Sequence, residues 1–458
     1  MKKILGLLSS LSLVAIGTTS VVACGYSIGD INDENHLVNH VLRTSLGMLE
    51  NDNKETIKAK IQELNPGLDA NSYKVAKVNK NKTALIAATK KGAYTGAMEV
   101  KFNLLGEPIK LEEKVLVGYY NDGKDWVVEG ERIPTFEELV ETNYNVISIG
   151  DFYASKALEM PTFNPKKPEE IKNGIELLHQ NDKKAIISMG GALSTKMKFT
   201  TDKKEELKAA ILNVIDEYKF DGIDINWEIQ STTDRESQQV MTDVLKEIKG
   251  ERENFIISLS TTPDGLRLAT EIGGAPSYIP FFKGLDGYYN WVTPKAYNQF
   301  GYDVIIEDAE KRILNWDDKD DTCQVEQSGE LKCSITNDNL EHRAEFYYLL
   351  TKYATAKYSK KNDYFIIDPD KFVLGVSTHE YVAEGKGAAS EDALKKSYEL
   401  LAKDGIYTKG LMAWTINSDA YDGKIASIPQ EGKDPLIIKW DKWTFSKWYK
   451  DIYLQEKK

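Results

Sequence analysis

From residue 114 onward, short apolar segments alternate with amphipathic segments of helical period, and this alternation restricts the fold more than any other feature of the sequence. It is typical of a parallel sheet built from strand–helix units. The predicted strands are 115–120, 145–150, 184–190, 220–227, 254–261, 289–297, 372–377 and 410–417. The clearest helical segments are 167–180, 202–218, 233–248, 338–357 and 389–403. Eight such units over about 340 residues predict an α/β fold of the (β/α)8 TIM-barrel class rather than an open sheet.

The chain has 458 residues, which leaves room for more than a barrel of about 250 residues. We predict a signal peptide over 1–23, a small α+β module over 24–113 and the barrel over 114–458. In the module, a short amphipathic helix is predicted over 55–64, and strands over 73–78, 83–88 and 97–104. This module resembles repeat modules of surface lipoproteins from wall-less bacteria. A spacer role is expected, with ligand binding as the alternative.

Composition sets limits on the partners. The hydrophobic content of 41% and charged content of 28% are those of a globular protein with a large core. The net charge of −12 opposes binding to nucleic acid or to an anionic membrane surface, since both are negatively charged. We therefore expect no nucleic-acid partner, and we expect a monomer.

The first residues predict export. A basic Met1-Lys2-Lys3 is followed by an apolar stretch, and small residues precede Cys24 directly. This pattern is typical of a secretory signal and resembles the lipobox of bacterial lipoproteins, in which the cysteine becomes the lipidated N-terminal residue. An acylated Cys24 would hold the protein at the outer face of the membrane. An ordinary signal peptide or anchor is the alternative, although the apolar stretch is short for a stable span.

Two further cysteines, Cys323 and Cys333, lie in a polar segment of the barrel sequence. In a chain that leaves the cytosol, a local disulfide between them is predicted, with two free thiols as the alternative. No grouping of histidine and cysteine has metal-ligand spacing, so we expect neither a metal ion nor another cofactor.

The fourth predicted strand ends in Asp221-Gly-Ile-Asp-Ile-Asn-Trp-Glu228. Because side chains alternate along a strand, Asp224, Asn226 and Glu228 share one face, and the intervening apolar side chains face the helices. Two carboxyl groups and an amide directed into a barrel are costly unless they are hydrogen-bonded or functional. A satisfied polar cluster is the alternative to a catalytic site.

The sequence resembles the chitinases of glycoside hydrolase family 18 over the whole barrel. Asp221, Gly222, Asp224 and Glu228 match the family's Asp-Gly-x-Asp-x-Asp-x-Glu motif on the fourth strand. Four other strand ends also match, in the family's order: Val117-Gly-Tyr-Tyr120, Ser188-Met-Gly-Gly191, Tyr297-Asn298 and Gly410-Leu-Met-Ala-Trp-Thr-Ile-Asn417.

The resemblance implies a mechanism in which the substrate's own N-acetyl group is the nucleophile. Glu228 would be the general acid and later the base. Tyr297 would orient the acetamido group, and Trp414 would stack under the sugar. Asp224 would be a buried charge behind them.

Further roles follow from the same resemblance. Tyr119 and Ser188 would support Asp224, and Gly190 and Asn298 would line the substrate site. Asp221 and Gly222 would be structural parts of the motif. Asp264, after the fifth strand, is an additional candidate for the cleft.

Two residues depart from the family pattern. Asn226 stands where the family has an aspartate that accepts a hydrogen bond from the acetamido N–H and opposes the developing positive charge. Losing one such preorganised group typically costs about 10²–10³ in rate. Lys295 stands where the family usually has a neutral side chain. A buried ammonium near Glu228 would favour the ionised carboxylate and weaken the acid, whereas pairing with Asp224 would leave Glu228 less affected.

Two main hypotheses remain. The first is a lipid-anchored enzyme that cleaves β-1,4 links in chitin or N-acetylglucosamine oligosaccharides with retention. The second is a carbohydrate-binding lipoprotein, a lectin or adhesin, on a barrel that has lost activity. A third is an endo-N-acetylglucosaminidase acting on N-glycans or peptidoglycan. Glu228 favours an enzyme, because a binding protein has no need of a general acid, whereas Asn226 and Lys295 favour the binding protein.

Overall fold

The computed structural model describes residues 29, 33–41, 45–49, 51–79, 83–104, 114–123, 131–228, 230–271, 275–297, 302–379, 387–426 and 437–454. These residues form two compact units that divide after Phe102. Two predicted site residues, Cys24 and Asn298, lie outside the described ranges. Within those ranges, no helix combines the length and the apolar character needed to cross a bilayer.

In the described part of the first unit, a four-stranded sheet is accompanied by one α-helix. Its elements are β1 (Ser45–Leu49), α1 (Lys54–Leu64), β2 (Tyr73–Val78), β3 (Thr83–Ala88) and β4 (Ala97–Leu104). The strand order is β1-β4-β3-β2, with antiparallel pairing of β2 with β3 and of β3 with β4. Asn53 caps α1 by accepting a hydrogen bond from the backbone N–H of Thr56. The predicted helix and three strands are confirmed, whereas β1 was not predicted.

The second unit contains fourteen strands among its described residues. They are β5 (Val115–Tyr120), β6 (Val146–Tyr153), β7 (Thr162–Phe163), β8 (Lys184–Gly190), β9 (Gly222–Asn226), β10 (Ile256–Thr261), β11 (Trp291–Pro294), β12 (Asp303–Ile305), β13 (Cys323–Val325), β14 (Leu331–Thr336), β15 (Val373–Ser377), β16 (Gly410–Trp414), β17 (Gly423–Ala426) and β18 (Ile437–Trp440).

Its α-helices follow most of the barrel strands. They are α2 (Phe136–Val140), α3 (Pro168–Gln180), α4 (Lys204–Tyr218), α5 (Gln230–Thr233), α6 (Arg235–Glu251), α7 (Ile279–Gly284), α8 (Asp308–Leu314), α9 (Arg343–Thr355), α10 (Glu391–Lys403), α11 (Ile416–Asp419) and α12 (Thr444–Tyr453).

Eight of the strands form a parallel barrel in the order β11-β10-β9-β8-β6-β5-β16-β15. The two ends of this order meet through parallel bridges from Val292 to Phe372 and from Lys295 to Gly375. The predicted (β/α)8 fold is therefore confirmed. The short β7 pairs with β6, β12–β14 form a separate small sheet, and β17 pairs with β18. In such barrels, the active site lies at the carboxyl ends of the parallel strands.

Several predicted boundaries differ from those in the structure, and two of them differ for local reasons. The predicted strand 410–417 ends at Trp414, because Thr415 and Ser418 form a reciprocal capping box that starts α11. The predicted helix 338–357 begins only at Arg343. Before it, the Asn339 side chain accepts a hydrogen bond from the backbone N–H of His342 and stabilises a turn.

The two faces of β9 separate core from site. Ile223 and Ile225 are fully buried. Trp227 packs against Phe199 and Phe281, at ring-centroid distances of 5.9 and 5.4 Å. These contacts fix the apolar face of the strand outside the barrel. Consequently the alternate residues Asp224 and Asn226 are directed into it.

Candidate active site

The parallel register aligns polar residues from three neighbouring strands. Asp224 on β9 lies level with Ser188 on β8 and with Ser258 on β10. Two residues further along, Asn226 lies level with Gly190. The inward-facing polar residues are thus at the same height because of strand pairing, although they are far apart in the sequence.

Asp224 is surrounded by hydroxyl donors and is only 1% exposed. Ser260 donates to its carboxylate at 2.9 Å and Ser188 at 3.2 Å, and Tyr119 and Ser258 also donate to it. Burial raises the pKa of Asp224 above its ordinary value, and the four hydroxyls oppose this rise. Burial and the negative charge of Asp224 hold the pKa of Tyr119 well above its ordinary value, so the phenol remains a donor.

Ser258 and Ser260 were not among the site residues predicted from the sequence. Both lie on β10 and are separated by Leu259, so they share one face of the strand. This alternation was the available signal, since two inward serines beside an acidic strand end are suitable hydrogen-bond donors.

Lys295 contacts two side chains of the β9 motif, those of Asn226 and Glu228. Its ammonium donates to Glu228 Oε1 at 2.7 Å and to Asn226 Oδ1 at 2.8 Å. The lysine side chain is 7% exposed and that of Glu228 is 28% exposed. The alternative in which Lys295 pairs with Asp224 is wrong, because Lys295 lies beside the outer part of the motif and Asp224 has hydroxyl partners instead.

This contact also determines the orientation of the Asn226 amide. An ammonium can only donate hydrogen bonds, so the amide oxygen must face Lys295. The amide nitrogen Nδ2 therefore points away from Lys295, and lies 4.0 Å from the position that a Cβ atom on Gly191 would take. Asn226 presents a donor, not an acceptor, on this side.

Gly190 is required for close packing rather than for a polar contact. It has a φ of +130°, and a Cβ atom there would come within 2.1 Å of the Asn226 backbone oxygen. The next backbone N–H, of Gly191, donates to that same oxygen at 2.7 Å. The two glycines thus let β8 approach the end of β9 closely.

Two aromatic residues lie at the carboxyl end of the barrel. The rings of Tyr297 and Trp414 are nearly parallel, with centroids 6.1 Å apart and an interplanar angle of 20°. Trp414 also lies 5.3 Å from the ring of Tyr119. Burial, followed by the charges of Glu228 and Asp224, holds the pKa of Tyr297 well above its ordinary value. Tyr297 therefore stays a neutral phenol that can donate a hydrogen bond.

A cavity of about 130 Å³ opens among these strand ends. Five sequence-predicted residues line it, namely Tyr119, Ser188, Gly190, Asn226 and Trp414, whereas Glu228, Lys295 and Tyr297 are not among its lining residues. Its wall also includes a carboxylate that the sequence did not single out, Asp151 at the end of β6.

Asp264 is not among the residues that line this cavity. Its half-exposed carboxylate instead accepts a hydrogen bond from Arg267 Nε at 3.1 Å. This local pair, three residues apart, accounts for its placement within the short 3-10 helix Pro263–Leu266.

The beginning of the motif is structural. Asp221 accepts hydrogen bonds from His179 Nε2 at 2.9 Å and from the backbone N–H of Ala185 at 2.8 Å, so it joins β9 to α3 and β8. At Gly222, a Cβ atom would lie 2.1 Å from the backbone oxygen of Ile256. These residues support the strand at the end opposite to Glu228.

Tyr278 supports the other end of the motif. Its hydroxyl accepts a hydrogen bond from the backbone N–H of Trp227 at 2.7 Å, and lies 3.1 Å from the backbone oxygen of Ile225. It therefore fixes the backbone directly before Glu228. No pattern in the sequence indicated this long-range contact.

Cys323 and Cys333 form a disulfide in the structure. They occupy directly paired positions on the antiparallel strands β13 and β14. The bond therefore closes a hairpin within the segment between β11 and β15.

Comparisons with known proteins point to one family. Residues 115–453 match the profile of the glycosyl hydrolases family 18. A chitinase of Enterococcus faecalis is 26% identical over 317 residues, which is 67% of this chain and 82% of the relative.

Of two similar solved structures, the first shows the same fold. A family GH18 chitinase from Chromobacterium violaceum superposes with a TM-score of 0.53 at 15% identity, covering 83% of this chain and 97% of that chain. A putative chitinase A from Streptomyces coelicolor has a TM-score of 0.49 at 18% identity, with coverage of 68% and 94%.

Proposed function

The chain belongs to glycosyl hydrolase family 18 and is a chitinase-like glycoside hydrolase, and from this membership we propose that it cleaves β-1,4 links between N-acetylglucosamine residues by substrate-assisted catalysis. The substrate would be chitin or an N-acetylglucosamine oligosaccharide, and the anomeric configuration would be retained.

The proposed reaction has two steps. In the first, the acetamido carbonyl oxygen bonds to the anomeric carbon while the glycosidic bond breaks, and Glu228 gives its proton to the departing oxygen. The product is a positively charged oxazolinium ion. In the second, water attacks the anomeric carbon, the bond to the amide oxygen breaks, and Glu228 takes the proton from the water. Each step reverses the protonation state of Glu228.

The observation that carries this proposal is the position of Glu228. It lies two residues after the end of β9 and its side chain is partly exposed. Tyr297 and Trp414 stack at the same end of the barrel. A protonatable group at the same end of the barrel as an aromatic pair suits glycosidic cleavage, since saccharides stack on such rings and the leaving oxygen needs a proton.

Lys295 holds the acid in place. Its ammonium lies 2.7 Å from Glu228 Oε1 and 2.8 Å from Asn226 Oδ1, so it fixes the carboxyl group beside the amide.

The test is release of fluorophore from a 4-methylumbelliferyl chito-oligosaccharide. We expect the wild-type protein to be about 10²–10⁴ times faster than Glu228→Gln, which is the usual contribution of a general acid. Glu253→Gln, an exposed carboxylate before β10, is the matched control and should retain full activity. A wild-type rate no higher than that of Glu228→Gln would exclude the enzymatic function.

A second candidate, carbohydrate binding without turnover, is favoured by the Lys295–Glu228 ion pair itself. It predicts that the wild type binds chitin oligomers but hydrolyses none, while Asn226→Asp is active. Calorimetric titration with chitotetraose beside the activity assay separates the two. Any hydrolysis of the oligosaccharide by the wild type would rule this candidate out.

We further propose that the protein is held at the outer face of the membrane through a lipidated Cys24. The support is the basic start, the apolar stretch and the small residues before that cysteine. In cells fed radiolabelled palmitate, the protein should incorporate label and partition into detergent, and Cys24→Ser should do neither. Equal labelling of both proteins would contradict the anchor.

A further inference from the structure

The acetamido side of the site lacks its expected acceptor at Asn226. Substrate assistance requires the sugar's N–H to be held by an acceptor, so that the carbonyl oxygen is directed at the anomeric carbon. In this chain, Lys295 donates a hydrogen bond to the Asn226 side-chain oxygen at 2.8 Å. The amide therefore presents its NH₂ group on the opposite side. That group cannot accept a hydrogen bond from the substrate.

A carboxylate lies on that same side. Asp151 Oδ1 is 3.9 Å, and Asn226 Nδ2 is 4.0 Å, from the point where a Cβ atom on Gly191 would stand. Both residues line the cavity that contains Trp414. Because Gly191 has no side chain, no Cβ atom occupies this point beside the amide and the carboxylate.

The backbone of β6 is irregular at this residue. Ile149 pairs with Ile187 of β8, but the next paired residues are Phe152 and Met189. Strand β6 therefore contains one residue more than β8 over this stretch, and the insertion falls on Gly150-Asp151. Bulges of this kind redirect a side chain and are frequent beside active sites. Here the bulge accompanies the placement of Asp151 in the cavity wall.

We propose that Asp151 is the acceptor for the substrate's acetamido N–H and the anion that opposes the charge of the oxazolinium ion. This inference rests on the proposed function and deepens it. The negative charge that Asn226 lacks would be supplied by Asp151 on β6. Asp151 would thus be a substrate-contacting residue that determines specificity for 2-acetamido sugars.

The local charges agree with this role. Lys295 is paired with Glu228, so the ammonium is largely compensated before substrate binds. Asp224 is enclosed by hydroxyls and is 1% exposed, so it is not available to the substrate's N–H. Asp151 is partly exposed at the cavity wall, and a carboxylate can accept more than one hydrogen bond. Preorganised charge of this kind acts strongly where it faces a charge that develops only during the reaction.

The experiment measures binding of N-acetylglucosamine thiazoline, a stable mimic of the oxazolinium ion, by isothermal titration calorimetry. Asp151→Asn keeps the shape of the side chain and removes its charge. We expect it to weaken thiazoline binding at least tenfold. Asp182→Asn is the matched control, because Asp182 is an exposed aspartate before β8, at the opposite end of the barrel, and binding should not change.

A rescue variant separates lost charge from disturbed structure. In Asp151→Asn/Asn226→Asp, one oxygen of the new carboxylate can face Lys295 while the other takes the position of Asn226 Nδ2. We expect this double variant to regain at least half of the lost binding free energy. Thiazoline binding by Asp151→Asn within twofold of the wild type would overturn the proposal, as would a loss that the double variant does not restore.

This inference and the proposed function can fail separately. Thiazoline binding requires no turnover, so dependence on Asp151 in a wild type that hydrolyses nothing would support the acceptor role and refute the enzyme. Hydrolysis that is equally fast in wild type and Asp151→Asn would support the enzyme and refute the acceptor role. If both hold, kcat should fall more than KM rises in Asp151→Asn, because the charge is needed mainly in the transition state.

Discussion

Two carboxyl groups on one face of the same segment, Asp224 and Glu228, have opposite environments. Asp224 is enclosed by four neutral hydroxyl donors, and burial raises its pKa. Glu228 is partly exposed and contacts the ammonium of Lys295. The first environment keeps a charge or a proton fixed in the core, and the second holds a group that has to exchange a proton in each step of the proposed reaction.

The comparison shows that position along a strand does not determine how a charge is stabilised. Neutral hydroxyls can satisfy a buried carboxylate without adding a second buried charge, whose desolvation is costly. Glu228, by contrast, is held by a charged partner, the ammonium of Lys295 at 2.7 Å. The site therefore combines an enclosed structural carboxylate with a partly exposed one that a cation positions.

The largest effect should follow removal of the buried carboxylate. Asp224→Ala leaves several buried hydroxyls without their acceptor, at about 1–3 kcal/mol for each unsatisfied group. Since the hydroxyls can partly satisfy one another, we expect the free energy of unfolding to fall by about 3 kcal/mol. Denaturant titration with a fluorescence signal measures it, with Glu253→Ala as an exposed control. A loss below about 1 kcal/mol would mean that the hydroxyls need no central acceptor.

Removal of the cation tests the second environment. Lys295→Met removes the hydrogen bond that positions Glu228 Oε1. We expect glycoside hydrolysis to slow about tenfold or more, because a hydrogen bond to a charged group contributes about 1.5–3 kcal/mol. Lys403→Met, on an exposed face of α10, is the control. An unchanged rate would show that the ion pair does not position the acid.

A smaller effect should distinguish a serine that donates to Asp224 from one that does not. Ser260→Ala removes a hydrogen bond to a carboxyl group and should cost about 1.5 kcal/mol of unfolding free energy. Ser148 is equally buried on β6, and the described residues offer its hydroxyl no hydrogen-bond partner. Ser148→Ala should therefore be neutral or slightly stabilising. Equal losses in the two variants would contradict the assigned donor role.

The smallest effect concerns pH. Because the pKa of Asp224 is raised above 3.8 in the folded protein, the folded state retains a proton that the unfolded state loses, and this residue's contribution to stability falls as pH rises from about 4 towards neutrality. Asp224→Asn cannot titrate. The free energy of unfolding of Asp224→Asn, minus that of the wild type, should therefore increase between pH 4 and pH 7. A difference that is constant over this range would show that Asp224 does not titrate there.

Much of the framework could be predicted from the sequence, because strand periodicity is a local property. The bounds of β5 and β8 agree with those predicted, and the inward face of β9 follows from simple alternation. The predicted strand 410–417 failed at Thr415, where a side-chain cap starts α11 and overrides the apolar pattern. The hydroxyl donors Ser258 and Ser260 were visible as an alternating pair, yet nothing local assigned them to Asp224.

By itself, the sequence determined the order of the barrel units, the face that carries Asp224, Asn226 and Glu228, and the family resemblance. Only the tertiary structure decided which side chains meet there: Lys295 with Glu228 rather than Asp224, and Asp151 with the Asn226 side of the cavity. The physical reason is the range of each interaction. Alternation along a strand is set by neighbouring residues, whereas these contacts depend on the register between strands, on the bulge in β6 and on closure of the barrel.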